Sequence, residues 1–196
     1  MTSPTLPEPE DRPGTSHARD QIARIIRVDQ AGEYGAKRIY AGQLAVLSGR
    51  PQMARTEKLI REMADQEDQH LATFNEMVAA RQVRPTILQP LWHVAGFGLG
   101  VVTALMGEKA AMACTAAVEE AIDEHYAAQQ DTLDALNADG AGEEQLKATV
   151  DQFRADEAEH HHTAIEEGAE QATGWPLLRR AIKGGSKAAI WLSERF

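Results

Sequence analysis

The chain has 196 residues, a formal net charge of −10 and one cysteine. This length suits one domain with a substantial core, and an acidic chain without a run of Lys and Arg is a poor candidate for nucleic-acid binding. The single cysteine excludes a disulfide framework and a zinc site built from cysteines, while an aromatic content of 5% favours helices over strands.

The predicted elements begin after a proline-rich lead. Residues 1–18 contain four prolines and three acidic residues, so we expect a disordered segment followed by one domain over 19–196. The lead has neither the apolar core of a signal peptide nor the arginine-rich, acid-poor character of an organelle transit peptide. Apolar residues at helical spacing predict a first helix over about 20–47 and a second over about 51–82.

An uncharged segment follows the second helix. Residues 85–107 contain no Asp, Glu, Lys or Arg, and we predict that they begin a third helix that continues to about Leu136. Prolines and Gly107 limit the apolar part to 91–106, whose helical length of about 24 Å is shorter than the hydrocarbon core of a bilayer, about 30 Å. The pattern leaves two alternatives, a buried half of a helix and a segment that lies in the membrane interface and admits an apolar substrate.

Two further helices complete the predicted fold. A turn precedes a fourth helix over about 143–172, and a short amphipathic helix follows within 175–196. Because the sequence shows no alternating strand pattern, the expected fold class is all-α, a four-helix bundle with an extra C-terminal amphipathic helix. The last segment carries five basic residues against one acidic residue. We expect its basic side, formed by Arg180, Lys183 and Lys187, to face anionic lipid.

A repeat with a period of about 88 residues runs through the predicted helices. In each copy a glutamate on the first helix is followed by a tyrosine seven residues later and a glutamine ten residues later. The motif Glu-x-x-His begins 34 residues after the glutamate in the first copy and 38 residues after it in the second. The first copy is Glu33, Tyr40, Gln43, Glu67 and His70, and the second is Glu119, Tyr126, Gln129, Glu157 and His160.

The spacing within this repeat suits metal coordination. Residues i and i+3 of a helix lie on one face, so a glutamate and a histidine at that spacing can bind one ion. Pairing of the two helical hairpins brings four glutamates and two histidines to the centre of the bundle, the ligand set of di-iron and di-manganese carboxylate proteins. Two divalent cations would neutralise four carboxylates there. Oxygen and imidazole ligands suit either iron or manganese and do not distinguish them.

Several residues near the repeat have other expected roles. Glu120 and Glu124, like most of the remaining helical glutamates, are assigned to solvated helix faces. For three glycines around Glu33, close helix packing is the favoured explanation and room for a ligand is the alternative. These are Gly32, Gly35 and Gly42. Asp156 is the expected partner of His70, because a metal-bound histidine usually donates its other N–H to a carboxylate or carbonyl.

Blocks of sequence around these positions resemble the demethoxyubiquinone hydroxylase family over about residues 20–196. The blocks are RVDQAGEYGAKRIYAGQ (27–43), DQEDQH (65–70), RPTILQPLW (84–92), AMACTAAVEEAIDEHY (111–126), DEAEHH (156–161) and the ending WLSERF. The resemblance implies a ferritin-like bundle with a di-iron core, and it selects Glu119 over Glu120, which periodicity alone leaves open. The iron ligands that it implies are Glu33, Glu67, His70, Glu119, Glu157 and His160.

The resemblance also implies a reaction. Members of the family are di-iron monooxygenases of ubiquinone biosynthesis that use O2 to hydroxylate the ring of a polyprenyl benzoquinone or quinol. It implies that the pair His125 and Tyr126 takes part in the redox step. The two electrons would come from reduced nicotinamide or from the quinol. The sequence has no G-x-G-x-x-G motif followed by a strand, so it encodes no recognisable dinucleotide-binding motif.

Partners and a location follow from the same resemblance. It implies a peripheral protein on the cytoplasmic face of a bacterial inner membrane, with a polyprenyl quinone as substrate and other ubiquinone-biosynthesis proteins as partners. Segments 85–107 and 175–196 are the expected membrane contacts. The resemblance leaves open whether a lipid-binding helper protein delivers the substrate and whether the chain forms homo-oligomers.

Two other functions fit the ligand pattern alone. One is a ferritin-like iron store or a protein that detoxifies peroxide, because the bundle by itself does not specify the chemistry. The other is a lipid-binding or assembly protein in which the metal is structural. The uncharged segment and the basic C-terminal segment favour the hydroxylase over a soluble cage, which would need neither.

Overall fold

The computed structural model describes residues 15–196, which form six α-helices and two short 3-10 helices. No strand occurs within this range, so the predicted all-α fold class is confirmed. The α-helices are α1 (Thr15–Leu47), α2 (Ala54–Ala80), α3 (Gln89–Leu105), α4 (Glu108–Ala138), α5 (Glu144–Glu166) and α6 (Trp175–Ser193). The 3-10 helices span Pro51–Met53 and Ala169–Gln171.

The first helix begins earlier than predicted. Helix α1 starts at Thr15, so residues 15–18 of the expected disordered lead belong to it. The last proline of the lead is Pro13, and no proline within 15–18 opposes a helix. The rest of the lead, residues 1–14, lies outside the described residues.

The predicted third helix is two helices in the structure. Gly107 separates α3 from α4 with a φ of 114°, a backbone region that favours glycine. Its carbonyl oxygen accepts the N–H groups of Ala110 and Ala111 at the start of α4. The prediction of one helix that continues to Leu136 is therefore wrong, because hydrophobic periodicity does not register a single glycine at which the chain turns.

Each helical hairpin carries a third helix on its outer side. Helices α1 and α2 pair, as do α4 and α5, and these four form the predicted bundle, while α3 packs on α1 and α6 packs on α4. Both outer helices have a proline in their first turn, Pro90 and Pro176, at the spacing of 86 residues that also separates Glu33 from Glu119. The predicted extra C-terminal helix thus has a counterpart in α3, and the fold consists of two three-helix halves.

The interior of the bundle has two apolar clusters with a polar middle. One cluster includes Leu47 and Ile60, and the other includes Phe74 and Leu133, toward the opposite ends of the same helices. Between them the helices bury glutamate, histidine and glutamine side chains. Burial of apolar surface stabilises the fold by about 25 cal/mol per Å², and this gain offsets the cost of placing polar groups in the centre.

Helices α1 and α3 cross with their backbones in contact. A Cβ atom added to Gly42 would lie 2.2 Å from the carbonyl oxygen of Phe97. One added to Gly100 would lie 2.0 Å from the carbonyl oxygen of Ile39. Neither place has room for a side chain, so the expectation of close packing is confirmed for Gly42.

Helix α6 is joined to α4 by ion pairs. Lys183 Nζ lies 2.7 Å from Glu120 Oε1 and 2.6 Å from Glu124 Oε1. Lys187 Nζ lies 2.5 Å from Glu124 Oε2, and Arg179 also pairs with Glu120. Lys183 and Lys187, which were expected to face lipid, pair with glutamates of α4, although the side chain of Lys187 stays 54% exposed. Glu124 is 45% exposed, as its assignment to a solvated face predicts, whereas Glu120 is only 21% exposed and lies against α6. The basic side of α6 turns toward the acidic side of α4, which the periodicity of neither helix reveals.

The outer helices expose apolar side chains. Those more than half exposed include Leu91, Val94, Val102 and Leu105 in α3, and Leu177 and Trp191 in α6. This exposure contradicts the alternative in which 91–106 is a buried half of a helix. Across the described part of the chain, none of the helices combines the length and the hydropathy needed to cross a membrane.

Candidate metal centre

Six buried side chains meet in the middle of the bundle. They form two groups, and within each group one nitrogen or oxygen atom of every residue lies within 4.8 Å of the others. All six side chains belong to residues that are at most 3% exposed. The groups are Glu33, Glu67, His70 and Glu157, and Glu67, Glu119, Glu157 and His160. The structure thus brings together all six residues at which the sequence places metal ligands, and two glutamates belong to both groups.

The helical register positions these side chains. Helices α1 and α4 each contribute one glutamate, and α2 and α5 each contribute a glutamate and a histidine one turn apart on the same face. Each of them lies near the middle of its helix, where the backbone N–H and C=O groups are already paired within the helix. Side chains alone are therefore available to a ligand at the centre.

Five of the converging atoms make no well-aligned hydrogen bond within residues 15–196, although two of them, His70 Nδ1 and Glu157 Oε1, lie 3.2 Å apart. They are both carboxylate oxygens of Glu67, Oε2 of Glu119, Oε1 of Glu157 and Nδ1 of His70. A buried polar atom without a partner costs about 1–3 kcal/mol. All five are atoms of the kind that coordinates cations, and two divalent ions would satisfy them and neutralise the carboxylates. The residues present fit a dinuclear metal site.

Burial and mutual repulsion change the acidities at the centre. Burial raises the pKa of Glu67 and Glu119 well above the usual range, and the charge of Glu157 raises both further. Burial also opposes ionisation of Glu157, but contacts with His160 and His70 outweigh it and lower the pKa of this carboxyl. Contacts with neighbouring carboxylates outweigh burial at His70 and raise its pKa to about 10. Protons therefore balance part of the negative charge when no cation is bound.

Two buried tyrosines donate hydrogen bonds to two of the glutamates, each tyrosine to the glutamate of the other half of the chain. The hydroxyl of Tyr40 donates to Glu119 Oε1 at 2.6 Å, and the hydroxyl of Tyr126 donates to Glu33 Oε1. Burial, together with the nearby carboxylates, raises the pKa of both hydroxyls well above 10, so both remain donors. Each tyrosine comes from the half of the chain opposite its glutamate. Sequence reasoning placed Tyr40 in the repeat, at the position equivalent to Tyr126, but assigned it no role.

The outward ring nitrogens of the two histidines have different partners. His70 Nε2 lies 3.1 Å from Asp156 Oδ2, which confirms the predicted partner. His160 Nε2 lies 3.1 Å from Gln66 Oε1. Sequence reasoning missed Gln66, although it immediately precedes the Glu-x-x-His motif of α2 as Asp156 precedes that of α5.

His125 lies beside the centre and belongs to neither group. Its Nε2 is 3.5 Å from Asp29 Oδ1 and 2.9 Å from Gln129 Nε2, and Gln129 donates to Asp29 at 2.7 Å. Burial raises the pKa of Asp29, although the contact with His125 opposes the increase. The rings of His125 and Tyr126 are 6.4 Å apart between centroids. Of this predicted pair, only Tyr126 contacts a glutamate of the centre directly.

A cavity of about 500 Å³ lies between α1, α3, α4 and α6, beside the centre. Its lining is mostly apolar and includes Gly32 and Gly35, close to Glu33, and Val118, next to Glu119. Among the described residues, a Cβ atom added to either glycine would meet nothing within 4 Å. The expectation of close packing is therefore wrong for Gly32, which leaves room in the cavity. Gly35 also lines the cavity, but its carbonyl oxygen lies 3.0 Å from the position of a Cβ atom added to Gly96, so it belongs to the close approach of α1 and α3 as well. A volume of this size is typical of a site for a small organic ligand.

Comparison with known proteins gives one consistent family. Residues 20–193 match the sequence model of the family described as Ubiquinone biosynthesis protein COQ7. A 3-demethoxyubiquinol 3-hydroxylase of Rhodospirillum rubrum is 56% identical over 187 residues, 95% of this chain and 84% of the relative. The mitochondrial NADPH-dependent 3-demethoxyubiquinone 3-hydroxylase of Homo sapiens is 49% identical over 91% of this chain and 79% of its own length. The mitochondrial 5-demethoxyubiquinone hydroxylase of Saccharomyces cerevisiae is 40% identical over 96% and 85%.

Proposed function

The chain belongs to the COQ7 family of ubiquinone biosynthesis proteins, and from this premise we propose that it is a di-iron monooxygenase that hydroxylates the ring of a demethoxyubiquinone or demethoxyubiquinol with O2. The relatives are named hydroxylases of these compounds, which supports an enzyme over an iron store or a peroxide-detoxifying protein. The observation that carries the proposal is the pair of buried Glu/His groups beside an apolar cavity.

The six converging residues are the proposed iron ligands. Two iron ions, when bound, supply the activation of O2. Glu67 and Glu157 belong to both groups and would help to hold both ions. The other four residues would complete the two positions as separate pairs, Glu33 with His70 and Glu119 with His160. The two tyrosine hydroxyls keep one oxygen of each unshared glutamate occupied and so fix the orientation of the carboxylate.

The apolar cavity is the proposed site for the quinone ring and the start of its isoprenoid tail. Its mostly apolar lining excludes water and favours a polyprenyl chain, because burial of apolar surface is favourable. The helical turns that carry Glu33 and Glu119 contribute to this lining, so a ring bound there would lie across these two turns from the proposed ligands. Trp92 Nε1 donates to Ser193 Oγ at 2.9 Å and joins α3 to α6 at the cavity wall.

His125 and Tyr126 are the proposed participants in the redox step. Hydroxylation consumes O2, two electrons and two protons, and it yields the hydroxylated ring and one water molecule. Tyr126 donates a hydrogen bond to Glu33, and His125 is half-buried beside Asp29, which supports a path for protons on this side. The proposed electron source is reduced nicotinamide, directly or through the quinol. Several relatives are named NADPH-dependent.

The outer helices are the proposed contact with a lipid surface. Helices α3 and α6 border the cavity and carry the exposed apolar side chains, and Arg180 adds an exposed basic group. We place the protein on the cytoplasmic face of a bacterial inner membrane, with other ubiquinone-biosynthesis proteins as partners. Replacing Leu91 and Val94 by Gln should reduce binding to anionic phospholipid vesicles, and Glu76→Gln on α2 is the matched surface control. Unchanged binding of the double variant would contradict this contact.

Single-turnover product analysis tests the proposed reaction. The Fe(II)-loaded protein would be mixed with a demethoxyubiquinol in detergent under labelled O2, and the products would be read by mass spectrometry. One labelled oxygen atom in the ring is the expected result. Oxidation of the iron with an unchanged quinol would contradict the hydroxylase and support the ferritin-like alternative.

A further inference from the structure

The two histidines of the centre occupy equivalent places with unlike outer contacts. Both rings turn Nδ1 inward, where His70 Nδ1 lies 3.2 Å from Glu157 Oε1 and His160 Nδ1 lies 3.3 Å from Glu67 Oε1. Both turn Nε2 outward to a side chain at 3.1 Å, which is the carboxylate of Asp156 for His70 and the amide oxygen of Gln66 for His160. The two histidines therefore have the same contact distance to their outer partners, but the partner of His70 is a carboxylate and that of His160 is an uncharged amide.

The ring of His70 is also held more closely than that of His160. Phe153, four residues before Glu157, stacks on the His70 ring at 3.8 Å between centroids and 22° between planes. The equivalent residue of α2, four before Glu67, is Met63. Tyr40 approaches the His160 ring edge-on, at 6.5 Å and 87°. One histidine is therefore fixed from two directions before a metal binds.

The remaining ligand contacts do not produce this difference. Glu67 and Glu157 are common to both groups, and the unshared glutamates, Glu33 and Glu119, each accept one tyrosine hydroxyl. A hydrogen bond to a carboxylate is roughly twice as strong as one between neutral groups. A carboxylate that accepts the N–H of a metal-bound imidazole also makes the ring a better ligand, and loss of such a partner typically costs about 10–100-fold in metal affinity.

We infer that the two metal positions are unequal and fill in order, with the first divalent cation at Glu33 and His70 and the second at Glu119 and His160. Asp156 is the positioning residue that causes this inequality. Its carboxylate accepts the outer N–H of His70, whereas Gln66 provides only an amide oxygen for His160. The inference rests on the proposed function, since these are the metals of that site.

Titration of the full metal-free chain with Co(II) tests the order of binding. Calorimetry and the visible absorption of Co(II) would be followed to two equivalents. The wild type is expected to bind in two steps whose affinities differ tenfold or more. Asp156→Asn should weaken the first step about 10–100-fold and leave the second unchanged. Gln66→Glu should raise the affinity of the second step and so reduce the difference in affinity between the two steps.

Matched controls locate the effect. Glu159→Gln removes the same charge from an exposed position of α5 and should change neither step. His160→Ala should keep the strong step and lose the weak one, whereas His70→Ala should lose the strong one. If either alanine variant fails to fold, the nearly isosteric variants Asp156→Asn and Gln66→Glu still test the order in which the two positions fill.

Two results would overturn the inference. One is a single step of two equivalents in the wild type, and the other is an Asp156→Asn variant that behaves like Glu159→Gln. These results are separable from a failure of the proposed function, because hydroxylation is measured independently. A wild type that hydroxylates after one-step loading contradicts only the order, and one that loads in two steps without turnover contradicts only the hydroxylase.

Discussion

The first half of the chain, α1 to α3, and the second half, α4 to α6, carry the same types of proposed ligand in different surroundings. One helical turn before Glu33 stands Asp29, whereas one turn before Glu119 stands Thr115. Gln129 donates to Asp29 at 2.7 Å and lies beside His125, so this side has a buried ionisable network. The pattern of glutamates and histidines is repeated in the two halves, and the surroundings of that pattern are not.

The equivalent network on the other side is neutral. Gln43 donates to the carbonyl oxygen of Ala111 at 3.0 Å and approaches Thr115 Oγ1 at 3.5 Å. The residue before Tyr40 is Ile39, where the second half has His125. Burying a carboxylate is costly, and the Thr115 side shows that the fold does not require one. The charged network is therefore not a requirement of the fold, and it distinguishes one side of the centre from the other.

The outer helices differ in the same manner. Helix α3 rests on α1 through backbone contact at Gly42 and Gly100, which leaves no gap for a side chain. Helix α6 is joined to α4 through the long, partly exposed side chains of Lys183 and Lys187. Close packing resists displacement, whereas exposed ion pairs contribute little and depend on salt and pH. Of the two walls of the cavity, α6 is the one whose attachment includes ion pairs, beside the apolar packing of Ile182 on α4.

The largest expected effect tests whether the two halves contribute equally to iron binding through their shared glutamates. Glu67→Ala and Glu157→Ala each remove one shared carboxylate, one from each half, and both should lose two-iron loading. Hydroxylation should fall at least about 100-fold in both, because removing a metal ligand costs more than the 10–100-fold typical of an outer partner. Iron content and turnover of the two variants are the measurements. Normal turnover in either would contradict the ligand assignment.

The next effect tests whether the charged network at Asp29 and the neutral network at Thr115 contribute differently to turnover. Asp29→Asn should lower turnover by about 10²-fold, a loss typical of impaired proton transfer, with unchanged iron content. Thr115→Val should leave turnover unchanged and lower the free energy of unfolding by about 0.5–1.5 kcal/mol, because it removes one hydrogen bond of Gln43. Rates and iron content would be measured in parallel. Equal turnover in the two variants would mean that the charged network has no part in the reaction.

A smaller effect compares how the outer helices are held. Gly100→Ala places a Cβ atom 2.0 Å from a backbone oxygen and should lower the free energy of unfolding by about 1–3 kcal/mol. Lys183→Met removes partly exposed ion pairs and should cost less than about 1 kcal/mol. Denaturant unfolding of the iron-loaded proteins measures both. A larger loss in Lys183→Met than in Gly100→Ala would reverse the comparison.

The smallest effect concerns pH. Contacts with Lys183 and Lys187 lower the pKa of Glu124 from 4.5 to about 2. A carboxyl whose folded pKa lies below its unfolded value contributes stability above the unfolded pKa and loses it as the pH falls through the folded one. The hydrogen-exchange protection of α6 should therefore fall below pH 4.5 relative to that of α3. Burial opposes ionisation of Glu120, but contacts with Arg179 and Lys183 outweigh it and lower the pKa of this carboxyl as well. Glu124→Gln should therefore reduce this difference without abolishing it, and an undiminished difference in that variant would assign it to another group.

Much of the centre follows from local rules. The i, i+3 spacing of Glu67 and His70 fixes their common face, and the second copy of the motif reduces the chance that either is accidental. Asp156, the partner of the outward nitrogen of His70, was predictable because it immediately precedes the Glu-x-x-His motif of α5. Tyr40 and Gln66 were equally accessible, since each is the repeat partner of a residue that was singled out.

The features that escaped sequence reasoning depend on which faces meet. Gly107 ends a helix because its φ is positive, and no pattern of apolar residues records a backbone angle. Lys183 pairs with Glu120 and Glu124 because α6 lies along α4, a tertiary choice invisible to either helix alone. Gly32 and Gly42 lie on one helix, yet one faces a cavity and the other a backbone.

The crossed tyrosines place the chain in a particular class of symmetry. Tyr40 of the first half holds Glu119 of the second, and Tyr126 of the second half holds Glu33 of the first. Reciprocal contacts of this kind define an isologous dimer, whose two-fold axis here would pass between the metal positions. In a true homodimer every substitution appears on both sides of the axis. A single chain is not subject to that constraint, so its two halves can carry the unlike outer partners Asp156 and Gln66.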